Sequence, residues 1–426
     1  MKVLIFGGTG KIGSAVAWDL VRENEIETVG LIGRRKGALD QTKNWINSNK
    51  IILHPLDIAH TEIIKRIMKK YDVGVIALPD RRTSYKVVAT AIEAGLNSVD
   101  MLEEYHRKPD PFEIEGLEIP NKLSLDGYGE WLHQKAIEKG VTILDGIGFA
   151  PGLSNVTLGE GISKMDNVES AIARVGGIPS KEAAVKHPLK YMVTWAFPHV
   201  LREYMVKVKV IKNGKITNVN ATTDRERFKF EKFGRNEELE CAITPGMPSF
   251  IYTRPHLGKF AEKTIRWPGH WQGIDVLKEC GLLDLKPVQY NGGKIVPRDF
   301  FLTLMEPKLK PLENDADICV MWNTVIGIKN GERIRIDYYM WEERDSENKI
   351  SAMSRVTGFP AAIGAILVGK GEITKKGIVP PEDSIKGHLY KKFIDELNKR
   401  DINILEEKKI TGQFDKELDE YLYDLE

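Results

Sequence analysis

The chain has 426 residues, too many for one ordinary domain, so two or three are expected. Its 62 Lys and Arg against 61 Asp and Glu leave a formal net charge of +1 with no long basic stripe, which argues against nucleic-acid or membrane-surface binding. Cys241, Cys280 and Cys319 show no C-x-x-C spacing and read as reduced thiols of a cytoplasmic protein. No leader pattern precedes the first strand, and no apolar run reaches the roughly 18 residues of a membrane span.

Val3 to Phe6 reads as a short buried strand, and Ser14 to Glu23 as an amphipathic helix. Between them Gly8-Thr9-Gly10-Lys11-Ile12-Gly13 is a G-x-G-x-x-G turn, the pattern of a dinucleotide-binding βαβ unit. Gly8 is expected to make the tight turn, Gly10 to let backbone approach a pyrophosphate, and Gly13 to let helix and strand pack closely. The helix N-terminus offers the phosphates unpaired N–H groups and a positive dipole end. Thr28 to Ile32 is a second strand, and an acidic residue after it would hold a ribose 2′-hydroxyl. The chain places Arg34 and Arg35 there instead, which suits a 2′-phosphate and favours NADP over NAD.

The alternation continues. Ile51 to Leu53 is a strand followed by Asp57, and Thr61 to Tyr71 is a helix capped by Thr61. Val73 to Leu78 is a strand ending at Pro79. Ser84 to Ala94 is a helix closed by Gly95, and Asn97 to Asp100 the next strand. Gly129 to Lys139 is a helix before the strand Val141 to Leu144, with Asp145 after it. This repetition predicts an α/β Rossmann domain with a doubly wound parallel sheet over residues 1–152, with ligands at the carboxyl ends of its strands. The residues after the strands are therefore candidates: Gly8, Arg34, Asp57, Leu78, Pro79, Asp80, Asp100, and Asp145 to Gly152.

Beyond about residue 155 the pattern becomes hairpin-like. Tyr204 to Ile211 turns at Asn213-Gly214 into Lys215 to Val219, and Asp317 to Ile328 turns at Lys329-Asn330-Gly331 into Arg333 to Trp341. An α+β substrate domain built on a large antiparallel sheet is expected over 153–350. The small-residue helix Ser351 to Leu367 is expected to return to the nucleotide domain (351–382), and residues 383–426 to form a charged helical tail.

Several motifs in order, from Gly8 to about Glu382, resemble the saccharopine dehydrogenase-like family. They are the glycine turn, Ala94 to Asp100, Gly146-Ile-Gly-Phe-Ala-Pro-Gly152, Thr194-Trp195 with Glu203-Tyr204, Arg266 to His270, and Gly358 to Ala362. The resemblance implies NAD(P)-dependent oxidation or reduction at a carbon–nitrogen bond of an amino acid or amine, as in saccharopine reductases and lysine 6-dehydrogenases. A polyamine-related dehydrogenase of the carboxyspermidine type, a homospermidine-synthase-like enzyme and a catalytically silent NADP-binding regulator remain open. The chain departs from the saccharopine reductases, which tend to carry Cys-Gly-Leu-Asp-Pro-Gly where Ile147-Gly-Phe-Ala150-Pro-Gly stands here. After Asp100 it carries Met-Leu-Glu103-Glu104-Tyr105 and an acidic, Pro-rich insertion over 108–121, a candidate lid or oligomer contact.

Such chemistry needs a group that takes the amine proton. Asp100 matches the family motif at a strand end and is the first candidate, against a loop or capping carboxylate; Asp145, in the same layer, is the second. Gly148, Pro151 and Gly152 are expected to shape the loop under the nicotinamide. Asn155, Glu203, Tyr204 and Arg266 are candidates for substrate binding, with Arg266 clamping a carboxylate. His187 and His270 are candidates to titrate near neutrality. No metal-ligand spacing occurs, so no metal is expected, and a homodimer is the expected assembly.

Overall fold

The computed structural model describes residues 1–111 and 116–410. Residues 112–115 of the insertion and 411–426 of the tail lie outside the described residues. The chain divides into two compact units, the first comprising 1–160, 247–253 and 354–402, the second 161–246, 254–353 and 403–426.

The first unit opens with β1 (Lys2–Phe6), α1 (Lys11–Leu20), β2 (Thr28–Gly33), α2 (Lys36–Ile46), β3 (Ile51–Pro55) and α3 (Thr61–Met68). β4 (Val73–Ile76), α4 (Arg81–Ala94), β5 (Asn97–Asp100), α5 (Leu125–Glu138), β6 (Thr142–Asp145) and α6 (Leu153–Ser163) follow. The apolar runs explain the layering: Val3 to Phe6, and Val73, Val75 and Ile76, are fully buried, as strands covered on both faces must be. Helix starts differ from the sequence reading at α1 (Lys11, not Ser14), at α4 and at α5 (Leu125, not Gly129), and α3 differs in its cap. Thr61 is the first helical residue of α3, and His60, with no side-chain cap, precedes it. α4 begins three residues before Ser84 because the Asp80 carboxylate accepts the Thr83 N–H at 3.0 Å.

The second unit contains β7 (Asn167–Pro179), α7 (Lys181–Ala184), α8 (Phe197–Glu203), β8 (Lys207–Lys212), β9 (Lys215–Asn220), β10 (Glu226–Phe230) and β11 (Glu237–Ile243). The short α9 (Phe250–Thr253) belongs to the first unit. β12 (Lys259–Arg266), α10 (His270–Glu279), the hairpin β13 (Val288–Tyr290) and β14 (Gly293–Ile295), α11 (Pro297–Leu309), β15 (Asp317–Lys329) and β16 (Glu332–Glu343) complete its core. α12 (Ala352–Gly369), β17 (Gly377–Val379), α13 (Pro381–Ser384) and α14 (His388–Asn398) follow, and β18 (Leu405–Ile410) ends the described chain.

The first sheet runs β17-β6-β5-β4-β1-β2-β3, every pair parallel. The second runs β10-β11-β12-β7-β15-β16-β18, with β8 and β9 attached through β12. It is mixed rather than wholly antiparallel, because β12 pairs parallel to β7 from Lys259↔Ser170 to Thr264↔Val175. Phe228 of β10 reaches Trp322 of β15 at 5.1 Å between ring centroids, and Phe230 reaches Trp341 of β16 at 5.3 Å, so this sheet curls on itself around an aromatic core.

α12 lies on α1: Trp18 and Phe359 stack at 6.0 Å, and a β-carbon on Gly358 would stand 3.3 Å from the Ile12 carbonyl oxygen. Its 18 residues are long and apolar enough to cross a bilayer, which corrects the reading that no run reaches that length; the helix is 89% buried inside the fold. The tail is not wholly helical either, since β18 pairs antiparallel with β16.

Candidate functional site

The glycine turn lies at the carboxyl end of β1. Gly7, not Gly8, supplies the left-handed turn with φ +80°, and any side chain there would overlap the Ala77 carbonyl oxygen. Gly8 does not take a positive φ, and a β-carbon on it would meet the Leu31 side chain at 2.9 Å. The Gly10 N–H closes the turn on the Gly7 carbonyl at 2.9 Å. A β-carbon on Gly10 would meet only that same oxygen, at 3.3 Å, so the cradle is open on this side. α1 has neither a side-chain cap nor an acidic residue in its first turn, which leaves the N–H groups of Lys11, Ile12 and Gly13 aimed outward. Thr9 stands beside Gly33, its Cγ2 3.6 Å from where a Gly33 β-carbon would lie. Arg34 and Arg35 are exposed at the end of β2 and make no ion pair among the described residues. Asp57, half-buried after β3, accepts the Ala59 N–H at 2.9 Å. Leu78 is half-buried and Pro79 exposed after β4. These residues have the chemistry to hold a dinucleotide: an uncapped helix end suits a pyrophosphate, and two exposed guanidiniums suit a 2′-phosphate.

The loop after β6 is held to β5, because the N–H groups of Gly146 and Ile147 both donate to the Asp100 carbonyl, at 2.9 and 2.8 Å. Gly148 donates to the Pro151 carbonyl at 2.8 Å, and a side chain on Gly152, whose φ is +135°, would overlap the Gly148 backbone. Asn155 is fully buried. Its Oδ1 accepts the Gly152 N–H at 3.0 Å, and its Nδ2 donates to Ser249 Oγ at 3.2 Å and Glu382 Oε2 at 3.0 Å. It therefore clamps this loop to residues 249 and 382 of the same unit.

Asp100 and Asp145, at the ends of adjacent strands, are joined by two residues that the sequence reading did not single out. His106 Nδ1 faces Asp145 Oδ1 at 2.7 Å, and the His106 backbone N–H donates to Asp145 Oδ2 at 2.8 Å. His106 Nε2 lies 2.9 Å from Ser84 Oγ, which donates to Asp100 Oδ2 at 2.6 Å. The Leu102 N–H holds Asp100 Oδ1 at 2.6 Å. Ser84, Asp100 and His106 are fully buried and Asp145 is 2% exposed. Burial would lower His106, but the charge and hydrogen bond of Asp145, then Asp100 and Glu104, push it up to about 9. Asp100 is pushed up to about 6 by burial, against the pull of His106. Beside them Glu104 is buried, bonded to Arg81 Nε at 2.6 Å and to the Tyr85 hydroxyl at 2.9 Å. Ligand atoms of Asp100, His106 and Asp145 lie within 4.8 Å of one another, close enough for a cation, yet the direct His–Asp contact already occupies the ring nitrogen that faces Asp145.

Flanking this group, a cavity of about 610 Å³ is lined by Tyr105, Arg107, Lys108, His133, Lys375 and Lys376, with apolar walls from Ile378 to Pro380. Arg107 is neutralised by Glu130 at 2.8 Å, whereas Lys108 and Lys375 have no ion pair among the described residues.

In the second unit Glu203, Tyr204 and Arg266 are buried together with His270. Arg266 Nε–H donates to the Tyr204 oxygen at 3.0 Å, the Tyr204 hydroxyl faces His270 Nε2 at 3.1 Å, and His270 Nδ1–H donates to the Leu189 carbonyl at 3.0 Å. Burial and the Arg266 charge push His270 down to about 3, so it does not titrate near neutrality as expected from sequence. His187 is bonded to the Lys308 carbonyl and to Asp315.

Comparison with known proteins places this geometry. Residues 3–144 match the saccharopine dehydrogenase NADP binding domain and residues 148–402 the saccharopine dehydrogenase C-terminal domain. A carboxyaminopropylagmatine dehydrogenase of Synechocystis sp. is 22% identical over 402 residues, which cover 90% of this chain and 92% of that protein. The mitochondrial alpha-aminoadipic semialdehyde synthase of Bos taurus is 23% identical, over 94% of this chain but 42% of its own length. The apo saccharopine dehydrogenase (L-Glu forming) structure of Saccharomyces cerevisiae superposes with a TM-score of 0.75 at 19% identity, covering 96% of this chain and 99% of that one, and so shares the fold. By these matches the chain belongs to the saccharopine dehydrogenase family.

Proposed function

We propose that this protein is an NADP-dependent dehydrogenase acting on the C–N bond of a carboxylate-bearing amino acid or amine. The observation that carries the reading is the pairing, on one parallel sheet, of an open phosphate cradle at the end of β1 with a buried acid–base group at the ends of β5 and β6. The nicotinamide, when bound, supplies or accepts the hydride. The chain contributes the uncapped end of α1 for the pyrophosphate and Arg34 and Arg35 for the 2′-phosphate. Asp100 and Asp145 fix the layer in which the amine proton is handled. The cations Lys108, Lys375 and Lys376 suit a substrate carboxylate, with the apolar walls taking its carbon skeleton.

The amine-type alternative is favoured by one observation: a curated relative aligned over nine-tenths of both chains is a carboxyaminopropylagmatine dehydrogenase. The apolar Ile147 and Ala150, where saccharopine reductases tend to carry Cys and Asp, favour instead a catalytically silent NADP-binding regulator. The test is nicotinamide absorbance with NADP(+) and NADPH against saccharopine, lysine, and carboxyalkylated diamines and guanidines. Turnover with one of these, and preference for NADP over NAD, supports the reading. Tight NADPH binding without turnover on any amine or imine would favour a regulator.

A further inference from the structure

The hydrogens of the buried group at the ends of β5 and β6 can be counted from its geometry. Asp145 Oδ2 accepts the His106 backbone N–H and Oδ1 faces Nδ1, so Nδ1 carries a hydrogen. Ser84 Oγ has a single hydrogen and stands between His106 Nε2 at 2.9 Å and Asp100 Oδ2 at 2.6 Å. If the hydroxyl points to Asp100, Nε2 must donate to it, and the ring is an imidazolium beside a carboxylate. If the hydroxyl points to His106, Asp100 must be the carboxylic acid and the ring neutral. Both arrangements contain the same number of protons.

We propose that Ser84 bridges a proton wire from His106 to Asp100, along which one proton is exchanged between the imidazole ring and the carboxyl group. In the transfer the Nε2–H bond breaks as a hydrogen joins Ser84 Oγ, and the original Ser84 hydrogen passes to Asp100 Oδ2. The cation and carboxylate become a neutral ring and a carboxylic acid, with no other reactant. The surroundings hold the wire to these two states. Asp145 on β6 fixes the ring through two hydrogen bonds, and Tyr85 of α4 covers it at 4.5 Å between centroids. Glu104 faces the ring but is matched by Arg81, and Tyr128 of α5 backs Tyr85. Two carboxylates and one imidazole thus remain buried from bulk solvent, where proton sharing replaces solvation. Both groups are pushed up, His106 to about 9 and Asp100 to about 6, so each holds a proton more tightly than in water, which fits a shared proton. The Asp100 carbonyl also anchors the 146–152 loop, so the wire is mechanically tied to the segment expected under the nicotinamide. Ser84 and His106 act through Asp100 and are positioning residues. Their use in amine proton transfer rests on the function proposed above, whereas the wire itself does not.

The experiment is a pH titration of the histidine ring nitrogens by NMR in the full chain, native and Ser84→Ala, with Ser84→Thr as the variant that keeps the hydroxyl. The native ring of His106 is expected to be charged at neutral pH and to titrate in two steps, the minor one coinciding with Asp100. Ser84→Ala should abolish the shared step, and Ser84→Thr should restore it. With a turned-over substrate, Ser84→Ala should lower kcat about tenfold to hundredfold and displace its pH profile while leaving NADPH binding unchanged. A ring that is neutral at pH 7, or a titration identical in Ser84→Ala, overturns the proposal. So does one equivalent of a divalent metal in the purified protein that is lost in His106→Gln. Failure to find any substrate would count against the C–N reading alone, because the native titration decides the wire without turnover.

Discussion

A β-carbon on Gly13 would overlap the carbonyl oxygen of Gly7 and stand 3.0 Å from its carbonyl carbon, whereas one on Gly10 would meet the same oxygen at 3.3 Å and nothing else. Two glycines of one motif therefore have separable roles. Gly13→Ala should destabilise the first unit by about 1–3 kcal/mol, the range for overpacking a tight contact. Gly10→Val should leave the fold intact and abolish NADPH binding, because its side chain would enter the space of the pyrophosphate. Thermal unfolding and NADPH fluorescence check both. A Gly10→Val protein that binds NADPH normally would refute the cradle assignment.

Arg34 and Arg35 are exposed and unpaired among the described residues, which leaves both free for a 2′-phosphate. A charge-assisted hydrogen bond is worth about 1.5–3 kcal/mol when shielded and about 1 kcal/mol or less in solvent. Replacing both with Ala should weaken NADPH about tenfold to hundredfold and leave NADH unchanged. Calorimetric titration that shows equal losses for the two nucleotides would mean that neither arginine reads the 2′-phosphate.

The nucleotide half was legible because its signals are local. Gly8 to Gly13, the buried run Val3 to Phe6, and Gly95 at the close of α4 each act within a few residues. His106 is not marked by the sequence because its partner Asp145 is 39 residues away and because it stands inside a departure from the family pattern. Ser84 was read as a helix start, since nothing in sequence shows that the first turn of α4 faces the end of β5. β18, with Glu406-Glu407-Lys408-Lys409, reads as a solvated helix; it is an edge strand whose charged residues need no burial. The parallel pairing of β12 with β7 joins segments nearly 90 residues apart, which no local pattern encodes.

The charge on His106 makes stability depend on pH in a defined window. Its ordinary value is 6.5 and the fold pushes it up to about 9, so the folded state holds this proton more tightly than the unfolded chain. The contribution is fully present below pH 6.5 and is lost as the pH rises through about 9. The difference corresponds to about 3 kcal/mol. Urea unfolding across that window should show the native protein losing more stability than His106→Gln. Parallel curves for the two proteins would place the tight proton elsewhere.

The cavity beside His106 has two lysines, Lys108 and Lys375, without an ion pair among the described residues, and that asymmetry is testable through substrate kinetics. Lys108 and Lys375 face a space of about 610 Å³ with Lys376 beside them, and Asp383 is the one carboxylate lining it among the described residues. A substrate carboxylate held there would feel two partly solvated charges, each worth about 1 kcal/mol. Lys108→Glu combined with Lys375→Glu should therefore raise KM for a carboxylate-bearing substrate by about tenfold or more, while kcat and NADPH binding stay near native values. Added salt should weaken the native enzyme's substrate binding and narrow its gap from the variant, since screening acts on the attraction that the variant has lost. A variant with unchanged KM at low salt would show that the substrate carboxylate lies elsewhere, and the cavity would then have no part in recognition.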